Sequence, residues 1–233
     1  MIGTAARHRI LLPLAFAICL LLRPVEANLQ TQPPAPSAQR HERLFPPADL
    51  GLLEPPDRAT WQKPEQIMDA LKIFDGASVA DIGAGSGWFT IRLAERIGPN
   101  GIVYAEDVQK QMLQSIERRV SREGLRNVQT RLGTQTDPNL PRGSLDAVLM
   151  VDSYQELEPA NRVTFLRNLA AALKPNGRIG VVNYKPGRGG PGPDVRIESA
   201  VVEQNARDAG LDVLSRENLP YQYLLVLGLH PQS

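Results

Sequence analysis

Three glycines alternate with small residues in Gly83-Ala84-Gly85-Ser86-Gly87, and Asp81 stands two positions before the first of them. Glycine costs a folded chain conformational entropy, so this density implies a turn at which something needs the bare backbone. A nucleotide-type cofactor, a phosphate group and a plain strand-to-helix turn are the three readings of such a stretch. A dinucleotide turn wants a sixth-position glycine so that helix can pack on strand, and Trp88 stands there instead. A Walker phosphate loop needs a following Gly-Lys-Ser or Gly-Lys-Thr, and none follows. The turn therefore suits a close backbone approach to a ligand other than NAD or a nucleoside triphosphate.

A turn of this kind works only if a strand delivers it and a helix leaves it. The run Val79-Ala80-Asp81-Ile82 is the strand, and the helix begins near Trp88, with its free N–H groups expected to face the ligand. The same alternation continues down the chain. Strands are expected at 78–82, 101–106, 128–132, 146–151 and 178–183, and helices at 88–97, 110–123, 161–173 and 197–209. Ahead of them, Pro64 suits a helix start and Ile67, Leu71 and Phe74 form a helical stripe with Met68. Strand and helix in series with short connections imply an α/β fold, a mostly parallel sheet covered on both faces. The runs 213–218 and 223–229 are too close for a crossover helix, so the last strand should be antiparallel.

The N-terminus follows another logic. Arg7 and Arg9 precede an apolar run from Ile10 to Leu22, and Val25-Glu26-Ala27 offers small residues where an export peptidase cuts. Residues 1–27 read as a signal peptide, which makes the mature protein periplasmic or secreted. The run falls short of the ~20 apolar residues of a membrane span, and an uncleaved membrane anchor is the alternative. Residues 28–60 are rich in Pro, Gln and small polar types and read as an extended arm, leaving 61–233 as the domain. Without residues 1–27 the chain keeps 23 basic and 24 acidic side chains, which supplies no electrostatic footprint for nucleic acid or an anionic membrane. The single cysteine, Cys19, leaves with the signal, and His41 and His230 have no spacing that suggests a metal pair.

Asp81-Ile82-Gly83-Ala84-Gly85-Ser86-Gly87 resembles the first motif of the class I S-adenosylmethionine-dependent methyltransferases. Two further stretches resemble the same family in order: Gly98-Pro99-Asn100-Gly101-Ile102-Val103-Tyr104-Ala105-Glu106-Asp107, a second strand ending in an acid, and Leu173-Lys174-Pro175-Asn176-Gly177-Arg178, the turn into a fifth strand. The resemblance covers most of 60–230. It implies a Rossmann-like, doubly wound, seven-stranded and mostly parallel sheet with its last strand antiparallel. It also implies S-adenosylmethionine as cofactor and methyl transfer to a small-molecule acceptor. Gly83, Ala84, Gly85, Ser86 and Gly87 would line the methionine half, with Asp81 receiving the ammonium. Asp107 would accept both ribose hydroxyls, with Glu106 as its competitor, and Val108 would lie against the adenine. The adenine edge falls at Leu132-Gly133-Thr134-Gln135, where this chain has Thr134 in place of the family's frequent acid.

On the acceptor side, Asp152 and Glu156 are candidate proton acceptors and Tyr154 a lid or orienting group; the bland reading is that both acids only support the loop. Gln155 stands where similar sequences often carry a histidine, and an amide cannot take a proton near neutral pH. The Gly- and Pro-rich loop 185–193 reads as a substrate cover or a plain connection. Arg58, Trp61, Gln62 and Lys63 form a lid, or Trp61 packs on the first helix. Arg118, Arg119 and Arg122 make a solvated helix face. Export and an intracellular cofactor pull in opposite directions, so an exported, non-catalytic binding domain on the same scaffold is the competing reading.

Overall fold

The structure is a computed structural model, and it describes residues 45–187 and 196–230. The expected signal segment 1–27, the Pro-rich part of the arm up to residue 44 and most of the loop at 185–193 lie outside the described residues.

A 3-10 turn at Pro47–Leu53 leads into two short helices, α1 (Arg58–Gln62) and α2 (Pro64–Ala70), hinged at Lys63, whose φ is 54°. The expected boundary at 60/61 falls inside α1. The alternating unit follows: β1 (Ser78–Ile82), α3 (Trp88–Ile97), β2 (Ile102–Asp107), α4 (Lys110–Arg122), β3 (Val128–Leu132) and β4 (Leu145–Val151). Then come α5 (Arg162–Ala172), β5 (Leu173–Tyr184), α6 (Ser199–Asp208), β6 (Leu211–Asn218) and β7 (Gln222–Leu229). The seven strands form one sheet in the order β3-β2-β1-β4-β5-β7-β6, and β7 runs antiparallel to both neighbours. This is the doubly wound architecture expected from the sequence. One difference lies at β5, which begins at Leu173 rather than 178 because Leu173 pairs directly with Leu145 before the register shifts.

Each element forms for a visible reason. Met112, Leu113, Ile116 and Val120 recur at helical spacing and bury one face of α4. Strand β7 is apolar over Tyr223–Leu227 because it lies between β5 and β6, with both of its faces covered. Ala80, Val148, Ile179 and Leu225 pack with α5 and α6 on one face, while Val79, Leu149, Val182 and Val226 pack with α2 and α3 on the other. Both layers close on the same strands, and this fixes where the strand ends, and so the turns after them, must sit.

Candidate active site

The strand order reverses between β1 and β4, so a crevice opens at their carboxyl ends. A cavity of about 530 Å³ fills it, reaching from Thr134 and Gln135 after β3 to Tyr184 at the end of β5.

The glycine turn forms its floor. Gly83 and Gly85 have φ of 65° and 54°, the left-handed region that other residues rarely enter. A Cβ on Gly83 would lie 2.5 Å from the Cβ of Ser153, whose Oγ donates to the Ile82 carbonyl at 2.8 Å. The N–H groups of the turn itself, ahead of the helix, are already engaged. Gly83 N–H donates to Glu106 Oε2 at 3.3 Å, Gly85 N–H to Asp107 Oδ2 at 3.1 Å, and Ala84 N–H to the Glu106 carbonyl at 2.8 Å. Gly87 N–H closes the turn on the Ala84 carbonyl at 2.8 Å. A phosphate would meet carboxylates where it needs donors, so the turn is a poor site for one.

Both acids of β2 therefore hold the turn, although strand alternation puts them on opposite faces of the sheet. Asp107 also accepts from Gln109 N–H at 2.9 Å, so each of its oxygens keeps a lone pair for a ligand. Glu106 Oε1 is buried without a partner among the described residues, and it sits so close to Gly133 that a Cβ there would be 1.8 Å away. Asp81 is fixed by Thr90 Oγ1, which donates to its Oδ2 at 2.6 Å. Burial lifts Asp81 to about 6 and Glu106 to about 8, and it raises Asp107 as well. A rim of half-neutralised acids favours a ligand that is cationic and rich in N–H or O–H donors.

Val108, Ala84 and Ser86 line the cavity beside these groups. Thr134 lines it too, but its hydroxyl is engaged in its own loop, accepting from Asp137 N–H at 2.9 Å. Its neighbour Gln135 also lines the cavity, and Gln135 Oε1 is buried without a partner among the described residues.

The half under β4 and β5 is mostly apolar, walled by Trp61, Met150, Leu157, Phe165 and Tyr184. Trp61 packs on the rings of Tyr184 and Tyr221, at 6.0 Å from each. Asp152 ends the strand in a left-handed conformation, φ 54°, a strain that cores tolerate at functional positions. Gln222 Nε2 donates to both Asp152 oxygens at 2.8 Å, and Gln222 Oε1 accepts from Gln62 Nε2 at 2.9 Å. Gln62 in turn accepts from Arg58 Nε. Burial lifts Asp152 to about 7, opposed chiefly by Arg58. Glu156 lines the cavity and is exposed. Tyr154 is displaced from the role expected of it. It is fully buried in the core, its hydroxyl accepts from Asn205 Nδ2 at 2.7 Å, and it does not line the cavity. Gln155 points its Nε2 to the Asp152 carbonyl at 3.1 Å, leaving a buried Oε1 without a partner among the described residues.

Residues 79–177 match a family model described as a methyltransferase domain, and that span holds the glycine turn, both β2 acids and the β4 loop. Residues 79–177 are thus similar to a methyltransferase domain. The solved structure of a SAM-dependent methyltransferase from Aquifex aeolicus superposes with a TM-score of 0.73 and 27% identity, covering 79% of this chain and 98% of that one. Nocamycin O-methyltransferase from Saccharothrix syringae is 32% identical over 52% of this chain and 42% of its own. A demethylmenaquinone methyltransferase from a Geobacillus species is 30% identical over 49% of this chain and 48% of its own. The chain thus spans about half the length of the curated relatives it matches. Outside the matched span, Arg58, Gln62 and Gln222 carry no motif in the sequence. Gln62 and Gln222 are 160 residues apart, and only the folded sheet brings them together.

Proposed function

We propose that this protein is an S-adenosylmethionine-dependent methyltransferase acting on a small organic acceptor. The observation that carries the reading is the glycine turn held by Glu106 and Asp107 beside Asp81, a frame for a donor-rich cation and a poor one for a phosphate. The residues fit this cofactor. Two buried acceptors lack partners among the described residues where an adenosyl group would lie, Glu106 Oε1 and Gln135 Oε1, and the glycines of the turn add no Cβ to obstruct it. Asp81 would receive the ammonium, Asp107 the ribose hydroxyls, Val108 one face of the adenine, and Gln135 rather than Thr134 its edge. Bound there, the cofactor supplies a methyl group already activated on a sulfonium.

The chain's own contribution is then position and proton handling. The apolar half under β4 and β5 would seat the acceptor, shut water out and leave Asp152, with Glu156 behind it, to hold a proton. The relatives named for nocamycin and for demethylmenaquinone support a small-molecule acceptor, and the apolar lining suits a largely apolar one. We place the protein outside the cytoplasm through residues 1–27, cleaved after Ala27 or retained as an anchor. N-terminal sequencing of the protein purified from an expressing cell should begin at Asn28, and an intact Met1 on a membrane-free protein would end that reading.

Calorimetric titration with S-adenosylmethionine, S-adenosylhomocysteine and NAD tests the cofactor. Saturable binding of the first two and none of NAD is expected, and silence from both sulfur nucleosides would overturn the proposal. The Gln155 amide favours one other reading, a non-catalytic ligand-binding domain, which binding without methyl turnover on any acceptor extract would support.

A further inference from the structure

Arg58 is a half-buried cation to which the methyl-transfer reading gives no task. It lines the cavity, and its guanidinium lies 4.3 Å over the Trp88 ring. Two of its nitrogens are committed, Nε to Gln62 Oε1 and Nη1 to the Leu53 carbonyl. Nη2 has no partner among the described residues. No carboxylate forms an ion pair with it there, although Asp152 and Asp81 are close enough to raise its proton affinity against the lowering effect of burial. A guanidinium partly withdrawn from water without a bound anion carries a desolvation cost that an anionic partner would offset. The fork is also held rigid, by stacking on one side and by two hydrogen bonds on the other, which suits a planar bidentate partner.

The neighbours narrow what that partner is. The residues beside Arg58 are acids, so a free inorganic anion would be repelled by Asp81 and Asp152. A group that carries both signs would not be, because its anion meets Arg58 while its cation meets an acid. A free α-amino acid end has that form, a carboxylate one carbon from an ammonium. We propose that Arg58 binds the α-carboxylate of the cofactor's amino-acid end, with Asp81 taking the ammonium. This rests on the methyltransferase reading and adds a residue from outside the family-matched segment. A carboxylate on the acceptor molecule would offer Arg58 the same chemistry, and the experiment separates the two sources.

S-adenosylhomocysteine and 5′-methylthioadenosine share the nucleoside and the sulfur, and only the first has the amino-acid end. With the full chain, calorimetry should show S-adenosylhomocysteine binding at least 30-fold tighter. Arg58→Met should bring that ratio below about fivefold while leaving the 5′-methylthioadenosine affinity within twofold, a control that the site is still folded. Arg58→Lys should recover part of the ratio, since a point charge replaces a fork. An unchanged ratio in Arg58→Met would overturn the assignment while the methyltransferase reading stands. So would a loss confined to 1-naphthoate binding on the S-adenosylhomocysteine-loaded protein, which would move the carboxylate to the acceptor. Absence of binding by either nucleoside in the unaltered protein would overturn both.

Discussion

Gly83 shows how narrow the tolerance is at single positions. Its φ of 65° and the 2.5 Å distance from its would-be Cβ to Ser153 act against any side chain. Gly83→Ala should cost on the order of 1–3 kcal/mol in chemical denaturation. It should also weaken S-adenosylhomocysteine binding at least tenfold, since Ser153 or the turn must move. Glu106 sets a pH dependence. A carboxyl raised to about 8 keeps its proton in the folded state after the unfolded chain has lost it, so the folded state binds more protons. Stability should then fall as pH rises from the ordinary carboxylate range through about 8, with Asp81 and Asp152 adding to the slope near 6 and 7. Glu106→Gln keeps an acceptor for Gly83 N–H and removes the titration. In thermal melts of the ligand-free protein it should match the parent at pH 5 and exceed it at pH 8.5, by on the order of 1–3 kcal/mol. Equal pH slopes in the two proteins would show that Glu106 is not the group responsible. Asp81 and the glycines could be read from the sequence because their spacing is local. Glu106 could not be assigned, because alternation hides that both acids of a strand end reach the same turn, and Tyr154 looked available because nothing local reveals that Asn205 claims it.

The segment from Phe45 to Glu54 lies across the turn as a strap. Gln109 Nε2 donates to the Phe45 carbonyl at 3.1 Å, Arg119 pairs with Glu54, and Leu53 Cδ1 sits 3.2 Å from where a Gly85 Cβ would be. Arg119 also donates to the Ser86 carbonyl at 3.2 Å, so one side chain ties strap and turn together. An arginine expected on a solvated helix face thus has a structural task, while Arg118 and Arg122 remain exposed. Arg119→Met should speed S-adenosylhomocysteine dissociation in stopped-flow by about threefold to tenfold with a smaller effect on association, as expected when a cover opens more often. A change confined to association would mean that the strap does not restrain release. The alternating strands and helices announced themselves because each carries its own period. The strap did not, because a short 3-10 turn in a Pro-rich arm has no periodicity to detect.

Across the whole molecule, the central strands β1, β4, β5 and β7 are buried on both faces, while the strap has few buried apolar contacts. Amide exchange should be slowest in those strands and fastest over residues 45–57, and S-adenosylhomocysteine should slow it most in the strap and at 83–87. At a ligand concentration one hundred times the dissociation constant, the apparent stability should rise by about 2.7 kcal/mol. Uniform slowing across all strands, with none in the strap, would argue that the ligand does not contact it. Every side chain proposed for the nucleoside, from Asp107 through Val108 to Gln135, falls inside the segment 79–177 that matches the family model. Arg58, Trp61, Tyr184 and Gln222, which shape the other half of the cavity and hold Asp152, all lie outside it. The two halves of the site are thus inherited through different stretches of chain. With Arg58 kept for the donor's carboxylate, the rest of the flanks can drift to fit a new acceptor, and a chimera that exchanges only those residues between relatives should change its acceptor while keeping its cofactor.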